Sequence, residues 1–222
     1  SDNDLSSLNV KNGNNTAFTT FNTTTNPLLT CVQVDDAAYS TTNWTNIDGT
    51  TSFSDFCSYT AIPDAVFEAR LEALGYDDIS GDGQVPTALI EVVTSLNLTN
   101  DGITDLTGLE DFRDLTNLLC SNNALGTLDV SNNTKLVQLN AHTTSLSSID
   151  LSNNLLIENV VLYGNAITSI DVSNNLQLRI LDLFQNQLTS LDLSLNTALV
   201  NLYCDSNNNL SYLNVRNGNN LN

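Results

Sequence analysis

Basic residues are scarce in this chain. Only 6 of its 222 residues are Lys or Arg, against 25 Asp or Glu, and the formal net charge is −19. Binding a nucleic acid requires a basic stripe that neutralises phosphates, so the sequence predicts no nucleic-acid partner. Long hydrophobic runs are also missing. No stretch reaches the ~18 apolar residues of a membrane span, and the sequence predicts no such span.

Groups that catalyse reactions are equally few. The chain has one histidine, His142, and neither a Ser or Cys nucleophile motif nor a glycine-rich phosphate loop accompanies it. Its carboxylates recur in a regular column, whereas glycosidase chemistry needs an asymmetric pair in a cleft. The sequence therefore predicts a protein that is not an enzyme and uses no cofactor. Calcium is the one ion for which it contains candidate motifs.

Repetition is what the chain has in quantity. Four aspartates recur every 21 residues, each inside a Leu/Ile-Asp-Leu/Val triplet: Asp129, Asp150, Asp171 and Asp192. Counted from Leu115 as position 1, one repeat reads LTNLLCSNNALGTLDVSNNTK, with apolar residues at positions 1, 4, 11, 14 and 16. The L-x-x-L-x-L spacing alternates with period two around a short strand. Because no repeat can bury its own apolar face, we expect the copies to stack ~4.8 Å apart around one core.

Two asparagine columns follow the same register. Position 9 is Asn123, Asn165, Asn186 and Asn207, with Thr144 as the exception, and position 19 is Asn133, Asn154, Asn175 and Asn196. An asparagine inside such a turn can pair its amide with backbone groups of the next coil that would otherwise be buried without a partner. Both columns are therefore interpreted as structural.

These residues carry a family resemblance. The pattern LxxLxLxxNxLxxLDLxxN resembles the 21-residue class of bacterial leucine-rich repeat that is common in secreted proteins of Bacteroidota. Residues 95–118, SLNLTNDGITDLTGLEDFRDLTNL, resemble a 22-residue, internalin-like repeat. The resemblance covers residues from about Val92 to Val215. It implies a β-rich α+β solenoid, a leucine-rich repeat stack, in a secreted or cell-surface protein.

The ends of the chain indicate its organisation. Residues 1–15 match residues 206–220 at 11 of 15 positions, which suggests a longer repeat of ~205 residues and a chain cut from a longer protein. We expect residues 1–57 to be the end of a preceding solenoid with its cap. Residues 58–91 would form an N-terminal cap, with a helix over 63–74 that starts at a proline and stops at Gly75. Residues 92–222 would form the solenoid proper.

The four cysteines divide into two pairs. Cys120 and Cys204 share position 6 four periods apart, ~19 Å along the stack, so they cannot bond to each other. Cys31 and Cys57 lie outside the repeats and are the expected disulfide, which would imply export to an oxidising, extracellular compartment. The segment between them resembles the cap that follows such repeats. Because the linker after Cys57 is short, we predict head-to-tail self-association, with residues 1–57 of one molecule near the open end of another.

The strongest candidate site lies on the outward strand face. Position 7 carries His142, Tyr163 and Phe184, which predicts a strip of rings ~10 Å long. Neighbouring outward positions widen it with Val161, Ile180, Asp182 and Tyr203. Two interpretations remain open: an exposed apolar patch that binds a ligand, or cross-strand pairs that only stabilise the ladder.

Carboxylates supply two weaker candidates. The aspartates of the 21-residue column either cap their own turns through the following Ser-Asn or are bridged by calcium. Residues 77–85, DDISGDGQV, match the first half of a calcium loop through Asp78, Ser80 and Asp82. Position 12 of that loop is Leu89 where a bidentate glutamate belongs, so a plain turn is the alternative.

Taken together, the sequence predicts an extracellular recognition or adhesion module that binds a protein partner through the solenoid face. Polysaccharide binding through the ring strip is the alternative, because flat rings suit sugars. A purely structural surface spacer is the third.

Overall fold

The computed structural model describes residues 3–218. Contacts divide the chain into an N-terminal unit, Ser1–Tyr59, and a C-terminal unit, Thr60–Asn222. The match between residues 1–15 and 206–220 falls partly on residues 1, 2, 219 and 220, which lie outside the described residues. Each unit is built around its own hydrophobic core.

The N-terminal unit contains a small parallel sheet of three strands, β1 (Leu8–Asn9), β2 (Cys31–Gln33) and β3 (Ser52–Ser54). Leu8 is paired with Val32, and Val32 with Phe53. The buried core is Leu29, Val32, Val34 and Trp44. The predicted disulfide between Cys31 and Cys57 is confirmed, with a Cα–Cα distance of 5.7 Å.

A helix in this unit was not predicted from the sequence. Helix α1 (Ala37–Asn43) follows β2, and the carboxylate of Asp36 accepts a hydrogen bond from the Tyr39 amide at 2.8 Å. An aspartate in this position is a standard N-cap, because it pairs an amide that no earlier carbonyl reaches. A single-turn 3-10 helix, Asn15–Ala17, precedes it in the chain.

The C-terminal unit is built on a parallel sheet of six short strands, which neighbour one another in the order in which they occur along the chain. The first step from strand to strand is 22 residues and the next four are 21 residues each. The strands are β6 (Ser95–Asn97), β7 (Asn117–Leu119), β8 (Gln138–Asn140), β9 (Asn159–Val161), β10 (Ile180–Asp182) and β12 (Asn201–Tyr203).

The predicted register of this ladder is confirmed. Position 4 aligns from strand to strand, as Leu96, Leu118, Leu139, Val160, Leu181 and Leu202. All of these except Leu202 are fully buried, and Leu202, on the last strand of the sheet, is only half-buried. The fold is therefore a leucine-rich repeat solenoid in which each coil buries the apolar face of the one before it.

A second parallel pair lies at the Leu-Asp-Leu segment of the repeat. Strand β11 (Ser190–Asp192) pairs with β13 (Tyr212–Asn214), so that Leu191 aligns with Leu213. Leu191 is buried, whereas Leu213 is 44% exposed. Leu213 has no following coil within the described residues.

The start of the C-terminal unit contains its helices. Strands β4 (Tyr59–Ala61) and β5 (Gln84–Pro86) pair with each other and flank helix α2 (Ala65–Ala73); a short helix, α3 (Thr87–Ile90), follows β5, and the 3-10 turn Leu109–Asp111 comes later. Helix α2 is shorter than the predicted 63–74. It begins after Asp64, whose carboxylate caps the amides of Val66 and Phe67, and its last turn leads to Gly75 at φ +80°.

Helix α2 is fastened to the first repeat by packing and by two side chains. Phe67 and Leu71 are fully buried in the common core. The second carboxylate oxygen of Asp64 accepts from the Thr104 amide at 2.8 Å and the Asp105 amide at 3.0 Å. Arg70 donates to the Asn97 carbonyl and pairs with Asp101 at 3.3 Å.

Both asparagine columns are bonded to the backbone, as predicted, and all of their members are buried except Asn165, which is half-buried. At position 9, Asn186 donates to the carbonyls of Leu162 and Leu183 and accepts from the Ile167 amide, all within 3.1 Å. At position 19, Asn175 donates to the carbonyls of Leu151 and Asn154. The two columns differ in one respect: among the described residues, the side-chain oxygens of position 19 have no hydrogen-bond partner. The columns thus link neighbouring coils to unequal degrees.

Candidate recognition face

The strand face is the outward surface formed by positions 3, 5 and 7 of successive coils. Its residues are half-buried or exposed, apart from Ser121 at the first coil, which is buried. Polar residues dominate its early coils and larger apolar and aromatic ones its later coils. Position 3 is Asn117, Gln138, Asn159, Ile180 and Asn201; position 5 is Leu119, Asn140, Val161, Asp182 and Tyr203; position 7 is Ser121, His142, Tyr163, Phe184 and Asp205.

A depression of about 400 Å³ lies on the later coils of this face. It is lined by Tyr163, Asp182, Phe184, Tyr203 and Asp205. Four of these side chains were candidate site residues from the sequence, and the ladder brings them together from three consecutive coils. Asp205 belongs to the same position 7 column as His142, Tyr163 and Phe184, which the sequence singles out as the strongest candidate.

The ring strip is only partly continuous. The rings of His142 and Tyr163 stack with centroids 4.2 Å apart and planes 9° from parallel. Among the described ring contacts, Phe184 stacks on neither of them. The faces between His142 and Tyr163 cover each other, as in a cross-strand pair that stabilises the ladder. Val161 and Ile180 lie beside this pair on the same face, half-buried.

His142 is shaped by its surroundings. Burial lowers the pKa of its imidazole, and the nearby carboxylate of Asp182 opposes that effect. The ring nitrogen Nδ1 lies 3.2 Å from the Thr143 hydroxyl. The stacking contact with Tyr163 gives the imidazole a supporting role in the ladder.

The aspartate column caps turns. Asp129, Asp150, Asp171 and Asp192 each accept the amide of the serine two residues later, at 2.8–2.9 Å. These bonds, together with the serine hydroxyls, lower the pKa of each carboxyl; repulsion from Asp150 raises the values of Asp129 and Asp171 by less. The capping interpretation is confirmed, and it explains how like charges tolerate a repeat of ~4.8 Å.

The segment 77–85 is a tight, acidic turn. Asp82 accepts from the amide and side chain of Gln84, and the Ser80 hydroxyl donates to Glu72 at 2.7 Å. Asp78 lies next to Asp77, whose pKa is raised by burial. Within residues 3–218, no group of three or more acidic, histidine or cysteine side chains is placed to hold a metal ion. Calcium binding at Asp78, Ser80 and Asp82 stays a prediction, which calorimetry with calcium tests.

A further depression, of about 370 Å³, lies on the loop side and is lined by the acidic residues Asp105, Glu110 and Asp129 among others. Each of these carboxylates already accepts a backbone amide of its own turn. This depression is therefore explained by turn structure.

Sequence reasoning missed a second apolar surface. Five large apolar side chains in the segments that lead into β9, β10 and β12 are at least half exposed: Leu155, Leu156, Leu176, Leu195 and Val200. Leu155 and Leu176 share position 20 in consecutive coils. This turn-side patch competes with the strand face as a place for a partner to bind.

Comparison with known proteins places the fold. No family model matches the chain. An alignment 125 positions long, which covers 49% of this chain and 13% of the relative, shows 30% identity to internalin J of Listeria monocytogenes serotype 4b (strain F2365). The chain thus corresponds to a small part of that relative's length.

Three solved structures from Listeria monocytogenes are similar. Internalin F has a TM-score of 0.53 at 19% identity, with 69% of this chain and 56% of that one covered. The functional domain of internalin J, which includes a cysteine ladder, has a TM-score of 0.44 at 27% identity, covering 70% and 47%. Internalin C2 has a TM-score of 0.46 at 19% identity, covering 72% and 88%.

The ladder and the likeness to internalin F define a leucine-rich repeat protein. Internalin-like leucine-rich repeat proteins are its neighbours in sequence and in structure. Within residues 3–218, no helix has both the length and the apolar character needed to cross a membrane.

Proposed function

We propose that this chain is a non-enzymatic, extracellular recognition module that binds a protein partner through the strand face. The observation that carries the proposal is the depression on the later coils, where Tyr163, Phe184 and Tyr203 present aromatic surface beside two carboxylates. Tyrosine and phenylalanine on a rigid sheet bind partners at low entropic cost, and such residues are enriched at the centres of protein interfaces.

Two further features support this assignment. The disulfide between Cys31 and Cys57 is typical of proteins exported to an oxidising compartment. Helix α2, through Phe67 and Leu71, serves as the N-terminal cap of the solenoid, because it covers apolar surface that the first coil would otherwise expose. A capped, rigid stack with an acidic surface is suited to presenting one face to a partner.

The proposal is tested by selecting binders from a phage-displayed library of random twelve-residue peptides on the immobilised chain. We expect enriched clones to lose binding to a strand-face variant, Tyr203→Ala with Val161→Ser. They should retain binding to a turn-side variant, Leu155→Ser with Leu176→Ser. Each pair replaces two solvent-accessible side chains, so circular dichroism serves as a check that both variants remain folded.

Two outcomes would overturn the strand-face assignment. Clones that bind both variants equally would show that the strand face contributes nothing. Clones that lose binding only to the turn-side variant would show that the interface includes the exposed leucines instead.

Binding of a polysaccharide remains the alternative use of the same face. It is less well supported, because a sugar stacks on ring faces and those between His142 and Tyr163 are covered. A glycan array tests it: any signal should vanish in a Tyr163→Ala, Phe184→Ala variant, and an unchanged signal would remove the ring strip from consideration.

Head-to-tail association through residues 1–57 is a separate proposal about partners. It rests on the short linker from Cys57 to Pro63, which is six residue steps long and reaches at most ~20 Å. Light scattering after size-exclusion chromatography tests it. A mass that stays monomeric across a wide concentration range would reject it.

A further inference from the structure

We propose that the depression on the strand face is a receptor for a basic side chain, Lys or Arg, of the partner protein. This inference deepens the proposed function and rests on it. It assigns to the partner a cationic anchor that inserts between Tyr163, Phe184 and Tyr203. It also gives Asp205, on the last coil, a role as one of the two carboxylates that pair with the cation.

The arrangement of the lining is the first argument. The parallel register places Asp182 directly beside Tyr203, and the adjoining backbone bond from the Gln185 amide to the Asp205 carbonyl continues this register to Phe184 and Asp205. Asp182 and Tyr203 are at position 5, whereas Phe184 and Asp205 are at position 7. Carboxylates and rings therefore alternate at the corners of a rectangle.

The spacing of this rectangle suits one cation. Neighbouring strands lie ~4.8 Å apart and positions 5 and 7 about 6.7 Å apart along a strand, so the two carboxylate-bearing residues are diagonal neighbours roughly 8 Å apart. A cation above the centre of this rectangle is then about 4 Å, measured in the plane of the sheet, from each corner, so both carboxylates can reach it. The rings of Phe184 and Tyr203 start from the other two corners, at a spacing that permits cation–π attraction.

The charge balance is the second argument. None of the residues that line the depression is basic. The basic residues of the repeats near this face are engaged elsewhere: Arg179 pairs with Glu158 and Lys135 with Asp114. With a net charge of −19, the chain favours approach of a basic partner from a distance as well as at contact.

The two carboxylates are also available to a ligand. One oxygen of Asp182 accepts the Phe184 amide at 3.0 Å, which holds the side chain in place. Asp205 is exposed, and the bonds described for it use its backbone carbonyl. One carboxylate of the pair is thus held in place, and the other is exposed to a ligand.

The test is a titration of the ¹⁵N-labelled full chain with three peptides followed by NMR. The probes are acetyl-Gly-Arg-Gly-amide, acetyl-Gly-Lys-Gly-amide and the citrulline analogue, which has the shape of arginine without its charge. We expect the first two to produce saturable amide shifts centred on residues 182–184 and 203–205, with Kd in the millimolar range. The citrulline peptide should bind at least roughly fivefold more weakly.

Three variants distinguish binding in the depression from general attraction of a cation to the acidic surface. Asp205→Asn and Tyr203→Leu should each weaken binding of the arginine peptide by roughly three- to tenfold. Asp114→Asn changes the net charge by the same amount outside the depression and should leave the affinity unchanged. Equal binding of the citrulline peptide, shifts spread over the acidic surface, or equal weakening by Asp114→Asn would overturn the inference.

The results of this titration and of the phage selection together distinguish failure of the cationic anchor from failure of the proposed function. If enriched clones depend on the strand face but carry no excess of Lys or Arg, and the peptides do not bind, the proposed function stands and the cationic anchor is wrong. If the arginine peptide binds while no clone depends on the strand face, the anchor site exists but the face is not a protein interface.

Discussion

The asparagine columns allow a prediction that separates hydrogen bonding from burial. Asn186 and Asn175 are both buried asparagines whose side-chain amides donate to two backbone carbonyls within 3.1 Å, and Asn186 makes a third, longer contact of 3.4 Å to the Phe184 carbonyl. Asn186 is 6% exposed and Asn175 is fully buried. Only Asn186 also accepts a bond, from the Ile167 amide at 3.0 Å. Replacing each by alanine therefore removes the same side chain with different consequences for the backbone.

The carbonyls keep other partners in both variants. Leu162 still accepts from Asn165, and Leu183 from Asn207, after Asn186 is removed. Asn175→Ala leaves the carbonyls of Leu151 and Asn154 with backbone donors. Two lost bonds cost about 1–3 kcal/mol in either variant. Asn186→Ala additionally leaves the buried Ile167 amide unpaired, which costs about 1–3 kcal/mol more.

We therefore expect Asn186→Ala to lower the free energy of unfolding by about 4 kcal/mol and Asn175→Ala by about 2 kcal/mol. Urea denaturation followed by far-ultraviolet circular dichroism measures both. Fluorescence is unsuitable, because the single tryptophan, Trp44, lies in the other unit. Hydrogen exchange of the Ile167 amide should accelerate in Asn186→Ala by more than the global loss explains.

A threonine control refines the test. Thr144 occupies position 9 naturally, and its hydroxyl donates to the Ala141 carbonyl at 2.7 Å. Asn186→Thr should accordingly be less destabilising than Asn186→Ala. The reasoning fails if Asn175→Ala is as costly as Asn186→Ala or more so, since burial alone would then decide the outcome.

Three other perturbations have definite expectations. Gly108 has φ +102° and a Cβ there would lie 2.8 Å from the Ala61 carbonyl oxygen, so Gly108→Ala should destabilise the C-terminal unit by roughly 2–4 kcal/mol in the same urea assay. Burial raises the pKa of Asp64, but hydrogen bonds from the amides around it outweigh burial and hold it low. The ionised Asp64 carboxylate should add about 2 kcal/mol to the free energy of unfolding above pH ~4, and this stabilisation should be lost as the pH falls through the lowered pKa. The free energies of unfolding of Asp64→Ala and of the parent chain should therefore converge in acid. Replacing Cys31 and Cys57 by serine opens a crosslink of sequence separation 26 and should cost the N-terminal unit about 3.5 kcal/mol, read by Trp44 fluorescence during thermal unfolding; an unchanged transition would contradict it.

The sequence by itself determined the solenoid. A strict 21-residue period combined with period-two alternation allows one register, because a slip of one residue would turn every leucine outward. Position 4 therefore aligns as predicted, and the asparagines of positions 9 and 19 are buried where the repeat places them, with the half-buried Asn165 as the exception. The disulfide followed from the same regularity: Cys120 and Cys204 are locked into distant coils, which leaves Cys31 and Cys57 for each other.

Tertiary structure decided what the repeat leaves open. Helix α1 lies between Cys31 and Cys57, outside the repeats, where no periodicity indicates it. On the strand face, the sequence placed His142, Tyr163 and Phe184 in one column, but side-chain rotamers made the first two a stacked pair and joined Phe184 to Tyr203 and Asp205 around a depression. A repeat fixes where each Cα lies from coil to coil. The orientation of an outward side chain depends on its neighbours across the ladder, which no period of the sequence records.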